Sequence, residues 1–176
     1  MQHLLIMILL FSALQSNLLF DFAKNESVKE WIIVNDVVMG GESSSTIKLN
    51  KEGHGVFEGS ISLDNNGGFS SVRYRFPKRQ IRQFSSILLR VQGDGKQYQL
   101  RIKSDSSEYY SYIAPFSTSG EWQDIVFRLQ DFYPSFRGRS LNQPNFAKDS
   151  IEEITFLIGN KKKENFKLVI DKIELK

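Results

Sequence analysis

The sequence predicts an all-β protein, a two-sheet antiparallel sandwich of the jelly-roll type. Three observations predict it. About ten short stretches alternate apolar with polar residues, as half-buried strands do. Gly, Asn and Asp clusters separate these stretches, and no window keeps the period of a helix. Many short strands joined by such turns pack as two stacked sheets. The 176 residues suit one domain with a full core, and 14 Phe supply large side chains to fill it.

The domain is expected to span 18–176. Leu18, Phe20 and Phe22 alternate with Asp21 and open it as a strand. Trp31 starts a second strand, which ends in a shaped loop. Asn35 and Asp36 favour turns because their short side chains bond nearby backbone groups. Gly40 and Gly41 permit positive φ or the close approach of another backbone. Phe57, Gly59, Ile61 and Leu63 share one face of the next strand, and 64–68 form a turn. In 69–76, Val72, Tyr74 and Phe76 lie on one face and Arg73 on the other. Ile87, Leu89 and Val91, then Tyr98, Leu100 and Ile102, bracket Gly93-Asp94-Gly95 and predict a hairpin. Tyr110, Tyr112 and Ala114 continue the pattern, followed by 122–127. One helical turn fits in 129–136, because Pro134 and Gly138 stop anything longer. The polar loop 135–150 is long, and long ordered loops are often functional. Ile154, Phe156 and Ile158 mark a late strand. Phe166, Leu168 and Ile170 mark the last, where the switch to Ile173 and Leu175 predicts a bulge near Asp171 and Lys172.

Composition narrows the function. The net charge of +3 is too small to argue nucleic-acid binding, and Lys161-Lys162-Lys163 before Glu164 reads as a solvated turn. The absence of Cys excludes disulfides, thiolate metal sites, a cysteine nucleophile and a lipidated Cys anchor. His3 and His54 are the only histidines, which argues against His-based triads and metal sites. His54 sits in a Gly-flanked turn and is expected to be exposed. The apolar run 4–14 is similar to a signal-peptide core, although no Lys or Arg precedes it. It is short for a membrane span, which needs about 20 apolar residues. The expected location is exported or periplasmic if 1–17 form a cleaved leader, and otherwise cytoplasmic or membrane-peripheral.

The chain resembles the complex I intermediate-associated protein family. The residues that carry the resemblance begin with Trp31, Val34-Asn35-Asp36, Val38-Met39-Gly40-Gly41 and Ser43. Phe57, Gly59, Asn66-Gly67-Gly68-Phe69 and Ser71-Val72-Arg73 follow. Gly93-Asp94-Gly95-Lys96, Tyr98, Trp122, and the segment from Phe132 through Pro134 to Phe136-Arg137-Gly138-Arg139 complete it. The resemblance implies a sandwich similar to galactose-binding domains. It also implies an assembly-factor or chaperone-like role toward NADH:ubiquinone oxidoreductase (complex I), without catalysis and without a cofactor. No Gly-x-Gly-x-x-Gly follows a strand, so the dinucleotide-binding domain that some relatives carry is not seen.

The candidate binding residues are Trp31, Asn35, Asp36, Met39, Gly40, Gly41, Arg73 and Arg137. Asp36 is expected near one or both arginines, since the guanidinium fork pairs well with a carboxylate. Such a pair is either an ion pair pinning loop 34–43 to the sandwich or part of a polar pocket for a sugar, an anion or a partner carboxylate. Met39 offers a deformable apolar contact. Trp31 and Trp122 are core side chains unless exposed beside a polar loop, where they become platforms. Paired carboxylates for glycoside hydrolysis are available by count only, in Asp36, Glu42, Asp64 and Asp94. Asp64-Asn65-Asn66 or Asp94 offer oxygen ligands for Ca²⁺ without matching a defined loop, and the same residues form Asx turns. The leading expectation is a non-catalytic module that recognises a protein partner, respiratory complex subunits or assembly factors. The alternative is a carbohydrate-binding module of an exported protein.

Overall fold

The structure, a computed structural model, describes residues 17–176. The expected leader and His3 lie outside the described residues, Asn17 apart. In chain order the strands are β1 (Leu18–Asp21), β2 (Trp31–Asn35), β3 (Ser44–Leu49), β4 (Gly55–Ile61), β5 (Ser70–Gln80) and β6 (Ser86–Gln92). They continue with β7 (Gln97–Lys103), β8 (Ser111–Ser117), β9 (Trp122–Arg128), β10 (Tyr133–Phe136), β11 (Arg139–Ser140), β12 (Ser150–Ile158) and β13 (Glu164–Leu175). One helix, α1 (Phe22–Asn25), is a single turn capped by the Asp21 side chain.

The strands form two antiparallel sheets. One has the order β3-β4-β13-β6-β9, with β1 also on β13; the other runs β11-β10-β8-β7-β12-β5-β2. β13 is long enough to pair with β4 over its first half and with β1 over its second. The predicted bulge is present: the β13–β6 register shifts between Ile170 and Lys172. The switch moves Ile173 and Leu175 onto the buried face that Ile170 leaves.

The predicted hairpin is not formed. β6 pairs with β13 and β9, whereas β7 pairs with β12 and β8 in the opposite sheet. The Gly93-Asp94-Gly95 link crosses the sandwich from one sheet to the other. A Cβ on Gly93 would lie 2.3 Å from the Thr118 side chain, so that crossing needs glycine.

Burial alternates in strands such as β6 and β7, while β12 is buried on both faces from Glu153 to Ile158, and the inward faces make one core. Ile87, Leu89, Phe57, Leu168 and Phe166 oppose Leu100, Ile102, Val72, Ile154 and Phe156. At one corner Trp31 stacks on Phe22, Tyr74 and Phe156, with Phe20 edge-on. Each fully buried aromatic of this kind contributes about 1.5–3 kcal/mol. His54 is half-buried rather than exposed: it meets Trp122 edge-on at 4.8 Å, between Glu52 and Asp171. Its turn folds back against the β9 edge, which removes the solvent expected around it.

Candidate functional site

The loop after β2 is built around one carboxylate. Asp36 begins a one-turn 3-10 segment (Asp36–Met39) and is fully buried. It accepts hydrogen bonds from the Ser43 backbone N–H at 2.9 Å, the Gly68 N–H at 2.6 Å, the Phe69 N–H at 3.2 Å and the Ser43 hydroxyl. One side chain therefore ties loop 36–43 to loop 62–69. Burial works against the charge, but the bonds from Ser43, Gly68 and Phe69 outweigh it and hold the carboxyl below its ordinary range.

The glycines are the counterpart of this carboxylate. A Cβ on Gly41 would lie 2.4 Å from the Asp36 carboxyl, and one on Gly67 2.6 Å from its Oδ2. Only bare backbone can close that tightly around the group. Gly40 takes φ 91°, the left-handed conformation that ends the 3-10 turn. Asn35 completes the base, its Oδ1 accepting from the Ser45 hydroxyl at 2.8 Å and the Ser70 hydroxyl at 2.6 Å.

The pinned loop carries an apolar tip. Val37, Val38 and Met39 are 59%, 73% and 55% exposed, and Leu63 on the tied loop is 44% exposed. Asp94 holds the neighbouring Gly93-Asp94-Gly95 crossing in a similar way. It accepts from Lys96 Nζ at 2.7 Å, from Tyr98 Oη at 2.8 Å and from the Lys167 N–H at 2.9 Å. Burial opposes its charge, and these donors more than compensate, so its carboxyl also titrates low. Tyr98 is pushed up, first by burial and then by its bond to Asp94.

The eight predicted site residues separate into distinct places. Trp31 is in the core and offers no surface. Asn35, Asp36 and Gly41 shape the loop from within, while Gly40 and Met39 lie at its exposed tip. Arg73 is on the outer face of β5, and Arg137 is an exposed turn residue with φ 49° over the Phe136 ring. Among the described residues, no ion pair joins Asp36 to Arg73 or Arg137. The expected ion pair is replaced by backbone donors, because Gly67 and Gly68 let the N–H groups reach the carboxylate first. Val37, Val38 and Leu63 were not anticipated as surface residues; an apolar run inside turn chemistry is the signal that marks them. Among the described residues, no group of three or more His, Asp or Glu is arranged to hold a metal ion. Asp94 and Asp36 spend their oxygens on the bonds just described.

Comparison with known proteins agrees with this architecture. The chain is similar to a carbohydrate-binding module of family 11 from Clostridium thermocellum, solved with a β-1,3-1,4-mixed-linked tetrasaccharide. The TM-score is 0.68 at 20% identity, covering 91% of this chain and 94% of that one. It is also similar to part of the agarase AgWH50C, with a TM-score of 0.58 at 13% identity over 91% of this chain and 24% of that one. At these identities the likeness establishes the jelly-roll sandwich fold. Among curated sequences, the mouse mitochondrial complex I intermediate-associated protein 30 is 26% identical over 181 residues, 89% of this chain and 55% of that protein. Its Drosophila melanogaster counterpart is 22% identical over 154 residues, 75% and 52% respectively. The chain thus spans about half the length of these relatives. The family model for complex I intermediate-associated protein 30 (CIA30) matches residues 20–170, nearly the whole sandwich, and the chain belongs to that family.

Proposed function

We propose that this chain is a non-catalytic binding module that acts in the assembly of NADH:ubiquinone oxidoreductase (complex I) by docking a protein partner on the loop end built around Asp36. The observation that carries this reading is the exposed run Val37, Val38 and Met39, held on a base fixed by four hydrogen bonds to one buried carboxylate. Three adjacent apolar side chains in water are costly unless a partner covers them, and a rigid base spares the partner the entropy of ordering the loop. Met39 adapts to an irregular surface, and Leu63 extends the patch. The names of the family and of its two mitochondrial relatives support complex I subunits or assembly factors as the partner. Among the described residues no helix is long and apolar enough to cross a membrane. Capture of partners from the protein's own cells tests the reading. The parent chain should retain complex I subunits or assembly factors, and the variant Val37→Ser/Val38→Ser/Met39→Ser should lose them while unfolding at the same temperature. Equal capture by the two proteins would refute it.

A second reading, carbohydrate binding, rests on a different place. At the opposite end of the seven-stranded sheet, Tyr109 is exposed and meets Phe136 edge-on at 5.2 Å, with Arg137 over the Phe136 ring at 5.2 Å. An exposed aromatic pair beside a guanidinium suits a sugar ring. Saturable binding of soluble oligosaccharides that disappears in Tyr109→Ala would favour it over the assembly reading.

A further inference from the structure

The outer face of the seven-stranded sheet carries charge that the docking loop does not use. Registers across β2, β5, β12, β7, β8 and β10 align Ile32, Arg73, Thr155, Arg101, Ile113 and Tyr133 in one row. This row faces away from the core, since its neighbours along each strand, among them Val72, Phe156, Leu100 and Tyr112, point inward. Even so, Thr155 and Ile113 in the row are only 6% and 4% exposed. The outer face is therefore a groove with a sheltered floor.

The cations in this groove are unevenly paired. In the next row Arg75 donates to Glu153 at 2.7 Å, and Lys103 lies near Glu153 and donates to the Glu108 carbonyl. The Glu153 carboxylate is thereby engaged and also accepts from the Thr155 hydroxyl at 3.3 Å, whereas the Glu108 Oε2 is buried without a hydrogen-bond partner. Arg73 has a buried Nε with no hydrogen-bond partner. Arg101 donates Nε and Nη2 to the neutral Gln99 Oε1, at 3.0 and 2.6 Å. Burial pushes the Arg101 guanidinium down to about 10; nearby Tyr133 opposes the shift and the Arg73 charge adds to it. Two cations in a sheltered groove without a carboxylate of their own are unfavourable unless an anion joins them. With Thr155 on the strand between them, their Cα atoms stand about 10 Å apart, two strand spacings. Two arginine arms can converge from that separation on one group above Thr155. Beside the row, at Gln99 and Leu157, a cavity of about 490 Å³ opens toward Lys96 and Lys161, which leaves room for the body of a ligand.

We propose that this groove is a binding site for an oxyanion, a phosphate or carboxylate group of a ligand, held between Arg73 and Arg101 above Thr155. Arg73 supplies its free fork, and Arg101 turns the donors not used by Gln99 toward the anion. The site lies on the sheet face, so it stands or falls independently of the docking loop.

The test is a titration of the full chain carrying ¹⁵N-labelled arginine, at constant ionic strength, with inorganic phosphate in one arm and glutarate in the other. The guanidinium Nε–Hε signals of Arg73 and Arg101, assigned through Arg73→Gln and Arg101→Gln, should shift and saturate with at least one probe, and the Arg137 signal should not. The arm that saturates distinguishes a phosphate ligand from a carboxylate ligand. Either substitution should weaken binding about tenfold or more, the loss expected when a charge-assisted bond is removed. Overturning results are linear shifts with both probes, shifts shared equally by Arg137, or saturation unchanged in whichever variants retain the parent's amide spectrum.

Discussion

Replacing Asp36 should loosen the docking loop and much of the fold with it. Asp36→Ala leaves the backbone N–H groups of Ser43, Gly68 and Phe69 without their acceptor, together with the Ser43 hydroxyl. Each orphaned buried donor costs about 1–3 kcal/mol. Because the donors share one acceptor and the loops can relax toward water, the total should fall near the low end, about 3–5 kcal/mol. That is a large share of the roughly 5–15 kcal/mol that holds a domain together. Asp36→Asn keeps one acceptor oxygen but turns an NH₂ toward a donor, and should cost about 2–3 kcal/mol. Urea unfolding with an unchanged slope measures both. The pH dependence follows from the same bonds. The folded carboxyl titrates below its ordinary 3.8, so the unfolded chain takes up the proton first. The contribution is full above the unfolded value and is lost as pH falls through the folded one. Asp36→Asn should therefore remove part of the acid destabilisation below about pH 4. A cost under about 0.5 kcal/mol for Asp36→Asn, with the acid limb unchanged, would refute the reasoning.

Three further outcomes follow. Gly41→Ala forces a Cβ to within 2.4 Å of the Asp36 carboxyl and should lose about 2 kcal/mol in urea unfolding. Tyr98→Phe removes the hydroxyl that donates to Asp94 from a fully buried ring, and a loss of about 1.5–3 kcal/mol is expected by thermal melting. Arg73→Ala should not lower stability by more than about 0.5 kcal/mol, since among the described residues its guanidinium makes no ion pair or hydrogen bond; a larger loss would show that it holds the sheet together.

Period-two alternation made strands such as β6 and β7 legible, because their inward and outward residues differ in kind. It could not assign strands to sheets. Ile87, Leu89 and Val91 point into the same core as Tyr98, Leu100 and Ile102, from opposite sides, so their pattern is that of a hairpin. The bulge at Asp171 and Lys172 was legible because a register switch changes the face of every later side chain. At the site, the motif around Asp36 was visible but its partner was misread. Complementary charge suggested arginine, whereas Asn66-Gly67-Gly68 and Gly41 mark a carboxylate enclosed by backbone. Arg101 escaped notice because its nearness to Arg73 depends on β12 lying between β5 and β7, a pairing over long sequence separations that no local pattern records.

A photo-crosslinking residue placed at Val38, irradiated in the protein's own cells, shows whether the tip of the pinned loop meets a complex I assembly partner. A crosslink to a complex I subunit or assembly factor is expected from this position. None is expected from Val126, which is comparably exposed on the β9 edge of the other sheet. No crosslink from Val38, or the same products from both positions, would contradict that contact.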